Sequence, residues 1–439
     1  MLFVSENFGG STMAQHIDTT IMTVGKAKIA NPAIGPYVDD TPIPFYLDVE
    51  HAGEDAKGLD SPLYLEQAGP REHVYYDPGK TKAAIVTCGG LCPGLNDVIR
   101  SIVLESYYGY GVRSILGIRY GLEGFIPKYH HDIMELTPRN VSEIHSFGGT
   151  ILGSSRGPQS SEEIVDALER MNVNMLYIIG GDGTMKAASA IQDEITRRRL
   201  HMAVVGIPKT IDNDINFVPK SFGFDTAVDV ATTALRCAHT EAIGAPYGVG
   251  LVKLMGRESG FIAASSTLSL NVVNFVLVPE APFKLEGEGG LLPALEKRLR
   301  ERSHAVIVTA EGAGQDLLTA SGKTDASGNR VLGDIGSFLQ KAIKNYFAAK
   351  DMDVTVKYID PSYIVRSMPA NTNDRVYCGQ LGRNAVHAAM AGKTNMVVAR
   401  MLDRFVHLPL QLVTRRRRKI DITSNYWRSV IATTGQRLS

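Results

Sequence analysis

Short apolar runs with no polar interruption, each followed by a turn and then an amphipathic stretch, dominate the middle of this chain. They occupy residues 83–88, 114–118, 173–179, 203–207, 247–254, 273–278 and 304–310. A strand with one wet face alternates polar and apolar residues, whereas a strand covered on both faces is apolar throughout. Covered strands alternating with helices build doubly wound parallel sheets with right-handed crossovers. At 439 residues the chain exceeds one ordinary core. The expected fold class is therefore α/β, with two doubly wound Rossmann-like lobes and no fixed-period repeat. Ligands of such sheets bind beyond the carboxyl ends of the strands.

Ahead of this pattern, residues 1–80 are rich in proline, glycine and acidic side chains and lack helical periodicity. They read as an N-terminal extension that wraps a core. Residues 286–290 and 321–330 read as exposed loops or hairpin turns. Residues 401–439 read as a C-terminal tail, a separate appendage. It holds five consecutive basic residues, Arg415 to Lys419, whose expected use is a solvated end or a subunit contact.

Lysine and arginine total 46, as do aspartate and glutamate, so no overall field would hold nucleic acid or an anionic membrane. Positive charge must be spent locally. No run of eighteen apolar residues occurs, and no membrane span is expected. Met1 to Ser11 carry neither a basic segment nor a long apolar one, so no signal peptide is expected, and Met13 stands as an alternative start. Four cysteines are too few for a disulfide framework and point to a reducing compartment, with the cytoplasm as the default. Cys88 and Cys92 lack the C-x-x-C spacing and read as small residues at a tight turn.

Three stretches carry chemistry. GGLCPGLN, from Gly89 to Asn96, lies between an apolar run and a helix pattern. Glycines there bring backbone N–H groups close to a phosphate, and a helix N-terminus favours its charge. A plain tight turn uses the same glycines. Lys80, Lys323 and Lys393 each lie in a G-K-T triplet, but none has the glycine five positions earlier that a Walker A loop needs. GGDGTMK, from Gly180 to Lys186, repeats the arrangement with an acid. Asp182 is placed to hold Mg²⁺ or its water shell, and Lys186, one turn on, to neutralise nucleotide phosphates. An N-cap role for Asp182 competes with that reading. PKTIDNDI, from Pro208 to Ile215, sets Asp212 and Asp214 two residues apart. In an extended segment both carboxylates face one side. One then accepts the proton of an attacking hydroxyl while the other serves the metal or its water.

GGDGT and PKTIDND are followed in order by LMGRESGFIA (254–263), TAEGAGQ (309–315) and KYIDPSYIVR (357–366). In this order they resemble the phosphofructokinase family from about Ala83 to Lys393. The details are similar to its longer branch, which sits near the pyrophosphate-using enzymes and includes ATP users in plants and protists. NAD kinases and lipid kinases share only GGDGT.

The resemblance implies transfer of the γ-phosphoryl of ATP to the 1-hydroxyl of fructose 6-phosphate, with Mg²⁺. It implies a nucleotide-binding lobe over 81–223, completed by about 367–400, and a fructose-6-phosphate lobe over 224–366. It also implies a homodimer or homotetramer. Gly89, Gly157, Gly181, Gly183, Thr184 and Lys186 would contact the donor, Asp182 would hold the metal, and Arg156 would neutralise the transferring group. Asp212 resembles the general base, with Lys209 beside it and Thr210, Ile211 and Asp214 around it on the substrate. Met255, Gly256 and Arg257 resemble the sugar-phosphate triplet, and Glu311 would accept from sugar hydroxyls. Tyr363 and Arg366, with Lys357 behind them, would grip the 6-phosphate.

Two positions qualify the resemblance. Short bacterial members place an arginine, used across the subunit interface, eight residues before the M-G-R glycine, and here that position is Gly248. The short-enzyme clamp is therefore not expected. Pyrophosphate users carry aspartate where Gly183 stands and, like this chain, lysine at 209. Excluding a nucleotide takes an obstruction, whereas one more lysine only adds attraction, so ATP is the expected donor and pyrophosphate the alternative.

Overall fold

The computed structural model describes residues 17–48, 55, 62–319, 322–324, 328 and 330–438. The expectations for Met1 to Ser11, the start at Met13 and part of the 321–330 loop lie outside these residues. Within that loop, Thr324 pairs with Arg330 across an antiparallel bridge, as a hairpin turn does.

In chain order the strands of the two larger sheets begin with β1 (Ile43–Phe45), β2 (Leu63–Gln67), β3 (Lys82–Thr87), β4 (Ser114–Ile118) and β5 (Ile133–Glu135). They are followed by β6 (Met175–Gly180), β7 (Ala203–Pro208), β8 (Gly248–Leu254) and β9 (Phe275–Leu277). The last four are β10 (His304–Ala310), β11 (Thr355–Ile359), β12 (Met396–Met401) and β13 (Arg404–Pro409). Among the described residues, nine of these make one sheet, ordered β1-β2-β13-β12-β7-β6-β3-β4-β5, and four make another, ordered β9-β10-β8-β11.

The centre of the large sheet, from β12 to β4, is parallel, as is the whole of the small one. The apolar runs named above form these parallel strands and are buried almost without exception. Antiparallel strands flank the large sheet on both sides, with β5 on β4 and β13, β2 and β1 beyond β12. The protein is thus a two-lobed Rossmann-like α/β structure.

The described residues of the N-terminal extension add β1 and β2 to the large sheet. A buried charge cluster holds them there. Glu66 accepts from Arg71 at 2.9 Å, from Lys393 at 2.9 Å and bonds His407 Nδ1 at 2.7 Å. Lys393, one of the G-K-T lysines, is a structural partner of Glu66 and Asp40.

The tail differs from its expectation: it is no separate appendage. β13 lies inside the large sheet, and Asn425–Thr434 packs on Phe261–Leu270 of the other lobe, with Tyr426 and Ser265 hydroxyls 2.8 Å apart. Gln436 bonds both the N–H and the carbonyl of Val276 in β9. Arg404 and the buried His407 interrupt the apolar run of β13, and with the charges of the tail they concealed this.

Candidate active site

The loops after β3, β6 and β7 meet those after β8 and β10 between the two sheets. After β3 the chain turns through Gly94, at φ +99°, into the helix Leu95–Leu104. A Cβ on Gly94 would stand 2.5 Å from Cys378 Sγ, so the turn requires glycine twice over. Cys88 and Cys92 are buried, free thiols, as their reading as small turn residues requires. Burial pushes the Cys88 thiol up to about 12, well away from reactivity at neutral pH.

Lys209, only 6% exposed, extends from the end of β7 into this turn, and its Nζ donates to the Gly90 carbonyl at 2.6 Å. Burial pushes its pKa down. A Cβ on Gly89 would lie 3.4 Å from that ammonium, and one on Gly90 would lie 3.6 Å from the Arg156 guanidinium. Two cations and a glycine turn therefore converge, which is what a phosphate chain needs.

After β6, Gly181 caps the helix Asp182–Arg197, whose first N–H groups point out of the turn. A Cβ on Gly183 would meet nothing within 4 Å. Lys186 Nζ reaches back to Asp182 Oδ2 at 2.9 Å. The (i, i+4) spacing brings that ammonium onto the acid of its own turn.

The stretch after β7 is not the extended segment expected. It bends at Ile211 and Asp212, and Asn213 adopts φ +57°. Asn213 stitches the bend by donating to the Pro219 carbonyl and accepting from the Ser221 N–H. Ile211 turns its side chain into the core, which leaves its backbone to face any substrate.

The two acids fare differently. Thr210 Oγ1 donates to Asp214 Oδ1 at 2.9 Å, and Arg417 lies 3.4 Å from Asp214 Oδ2. Asp212 Oδ1 is buried with no hydrogen-bond partner. Burial, then the charges of Asp214 and Glu311, push the Asp212 carboxyl well above the usual range. Burial also raises Asp214, with Arg417 the largest opposing influence.

From the other lobe, Gly256 at φ +130° brings Arg257 round to the cleft, and a Cβ there would stand 2.4 Å from the Ser259 carbonyl. Ser259 Oγ donates to the Asp212 carbonyl at 3.0 Å, which ties the two loops together. Met255 is half-buried against the core. Glu311 follows β10, and its N–H bonds the Leu254 carbonyl. Burial raises its carboxyl, while Arg257, Lys253 and Arg366 pull it down. Arg366 stacks 4.7 Å over the ring of Tyr363, which is 75% exposed, and its Nε is buried without a hydrogen-bond partner. That nitrogen and the exposed ring suit an incoming anion.

Lys357 is not brought to this group. It is exposed and lies 3.7 Å from Glu241. Sequence reasoning missed Lys253, held by Asp360 at 2.7 Å beside Glu311, and Arg417. The basic run holding Arg417 was the available signal, and it was assigned to solvent or a subunit contact. Gly248 opens β8, where a Cβ would stand 2.1 Å from the Ala242 carbonyl, so no arginine fits at the short-enzyme clamp position. Among the described residues no helix is long and apolar enough to cross a membrane.

A family model described as phosphofructokinase matches residues 82–389, more than half of the chain. An ATP-dependent 6-phosphofructokinase of Borreliella burgdorferi is 49% identical over 97% of this chain and 98% of its own. Relatives with the same name are 50% identical in Amycolatopsis methanolica, over 85% and 82% of the two chains, and 49% in Arabidopsis thaliana, over 86% and 80%. Among solved structures, a pyrophosphate-dependent phosphofructokinase from Marinobacter aquaeolei is similar with TM-score 0.66 at 19% identity, covering 82% of this chain and 92% of that one. Pichia pastoris phosphofructokinase in the T-state gives 0.62 at 20%, covering 86% and 38%. These distant structures speak for the fold, and the sequence relatives, each matched over more than four fifths of this chain, speak for more: the chain belongs to the phosphofructokinase family.

Proposed function

We propose that this protein is an enzyme that transfers the γ-phosphoryl of ATP to the 1-hydroxyl of fructose 6-phosphate, giving fructose 1,6-bisphosphate and ADP. The observation that carries this reading is the bare, buried Oδ1 of Asp212, set between the glycine turns and the Arg257–Glu311–Arg366 group. A general base needs an unoccupied acceptor oxygen within reach of the hydroxyl it deprotonates. Asp212 takes the proton of the 1-hydroxyl as that oxygen forms its bond to phosphorus and the bond to the ADP oxygen breaks. Arg156 and the Lys209 ammonium stabilise charge on the transferring group, and the open turn around Gly181, Gly183 and Thr184 receives the donor phosphates. Arg257, Glu311, Tyr363 and Arg366 hold the sugar phosphate.

Magnesium is usually bound through one or two carboxylates plus substrate phosphates, so a cage of three protein ligands is not required. Asp182 fits that donor set, since it stands at a helix start within electrostatic reach of Asp214. Bound there, the ion would neutralise charge between the donor phosphates. A homodimer or homotetramer working in the cytoplasm completes the reading. In it, residues 81–223 with about 367–400 bind nucleotide and residues 224–366 bind the sugar phosphate. Four cysteines in 439 residues, too few for a disulfide framework, support a reducing compartment.

The open space at Gly183 favours ATP over pyrophosphate. A coupled assay with fructose 6-phosphate, Mg²⁺ and each donor in turn tests the reading. Turnover with ATP is expected, and turnover with pyrophosphate alone would overturn the choice of donor. Activity on NAD or a lipid in place of the sugar phosphate would overturn the class.

A further inference from the structure

We propose that Lys253 is a positioning residue of the sugar-phosphate half of the cleft, where it fixes the turn carrying Tyr363 and Arg366 through the carboxylate of Asp360. The inference rests on the proposed function, because the 6-phosphate of fructose 6-phosphate is the anion that this pair would take. Its grounds are geometric. In the small sheet β8 runs parallel between β10 and β11, so the loops beyond all three leave from one edge. The last paired positions of β8 and β11 are Val252 and Ile359. One step beyond that pair stand Lys253 and Asp360, with the Lys253 ammonium 2.7 Å from Asp360 Oδ2. On its other side Lys253 pairs with Thr309 of β10, two residues before Glu311. Met255, Gly256 and Arg257 begin two residues after it. Lys253 therefore sits where the three sugar-binding segments leave the sheet.

Asp360 uses its two oxygens for different tasks. Oδ1 accepts from the Ser362 N–H at 3.1 Å and from the Ser362 hydroxyl, which closes the turn into the short helix Ser362–Ser367. Oδ2 takes Lys253. The helix buries Val365 and presents Tyr363 with the Arg366 guanidinium stacked on its ring. That pair inherits its place from the turn, and the turn inherits its own from β8. A second acid steadies the ammonium. Asp334, which accepts from the Ser337 N–H at the start of the helix Ile335–Ala348, lies 3.8 Å from it. An exposed lysine beside one carboxylate contributes little. This one has a side chain only 16% exposed and is shared by two acids that each shape a helix start. Without the ammonium the turn loses its tie to β8, and the phosphate must order Arg366 as it binds, which lowers affinity.

The test is steady-state kinetics with fructose 6-phosphate varied at saturating ATP, for wild type, Lys253→Met and Asp360→Asn, each also made in an Arg366→Ala background. Lys253→Met should raise the fructose 6-phosphate KM about three- to tenfold, part of the worth of a charged hydrogen bond. The kcat and the ATP KM should stay near wild type, the pattern of lost uniform binding. In the Arg366→Ala background the same change should add less than about twofold, because two changes along one chain of contacts do not add. Asp360→Asn separates placement from plain charge, and it serves if Lys253→Met fails to fold. With Oδ1 kept by Ser362, the new amide nitrogen faces the ammonium as donor against donor, so the tie breaks and KM should rise. An acid that acted only by repelling the phosphate would give a lower KM once removed. An unmoved KM in Lys253→Met, its full effect persisting without Arg366, or a lower KM in Asp360→Asn overturns the inference. If the wild type shows no turnover, the proposed function fails, and calorimetric binding of inorganic phosphate decides the inference. Binding that weakens in Lys253→Met but is not weakened further by that change in Arg366→Ala supports it, and no binding, or equal binding in wild type and Lys253→Met, overturns it.

Discussion

Two turns bring acids into one cleft and are built on opposite plans. After β6 the chain passes straight into a helix, Asp182 has its partner Lys186 one turn on, and the space over Gly183 is empty. After β7 the chain is sewn down on every side. Thr210 holds Asp214, Asn213 holds Pro219 and Ser221, Ser259 holds the Asp212 carbonyl, and Arg417 and Arg418 close over the top. A flexible phosphate chain needs room, whereas a proton acceptor needs placement to a fraction of an ångström. The difference between the turns is the difference between binding and chemistry.

The sharpest way to break this comparison is at its bare oxygen. Asp212→Asn keeps the shape of the sewn turn and removes the base, so kcat should fall by about 10²–10⁴-fold while fructose 6-phosphate still binds. Steady-state kinetics beside calorimetric binding checks it, and a near-normal kcat would refute the assignment. The open turn is probed by Gly183→Asp. A Cβ there would meet nothing within 4 Å, so the fold should stand, while ATP loses one to three decades in kcat/KM. Like charges at about 4 Å cost about 4 kcal/mol at an effective dielectric of 20, part of it screened by Mg²⁺ and Lys186. Unchanged ATP kinetics would place the donor elsewhere.

How far the site was legible follows the same division. The open turns are written locally, as glycines and one acid between an apolar run and a helix, and GGDGT was readable for that reason. The parallel strands were readable because two covered faces leave an unbroken apolar run. β2 was not, since its Glu66 is buried through contacts with Arg71, Lys393 and His407, and a charged residue reads as exposed. β11 hid because it carries Lys357, on the half-exposed edge of the small sheet. The sewn turn was half legible. Its acids lie two residues apart in sequence, but Arg417 lies 203 residues beyond Asp214, and five basic residues in a row carry no local mark of a buried partner.

The sugar lobe supplies a smaller effect. Arg257→Ala and Arg366→Ala should each raise the fructose 6-phosphate KM by about one to two decades, the worth of a charged hydrogen bond. The ATP KM should move little. Were ATP affected instead, the two halves of the cleft would have been exchanged. Lys357→Ala, at the exposed contact with Glu241, should change neither constant appreciably.

The smallest expected effect is on stability, and it runs against the effect on rate. Burial and mutual repulsion raise the carboxyls of Asp212, Asp214 and Glu311 in the folded protein. A carboxyl whose folded pKa lies above its unfolded value stabilises the fold fully below the unfolded value. That stability is lost as pH rises through the folded one. The ligand-free enzyme therefore bears the cost of its ionised base at neutral and alkaline pH. Asparagine at 212 cannot ionise and relieves Asp214 as well, so the variant with the largest loss of turnover should be the more stable protein. The gain in Tm should be about 1–3 °C at pH 8 and should shrink toward nothing as pH falls below about 3, where the wild-type acids are protonated in both states. Other groups titrate alike in the two proteins, so the difference between their melting curves isolates this pair. Equal Tm values across the whole range would mean that Asp212 titrates as an ordinary carboxylate, and the sewn turn would then place its base without perturbing it.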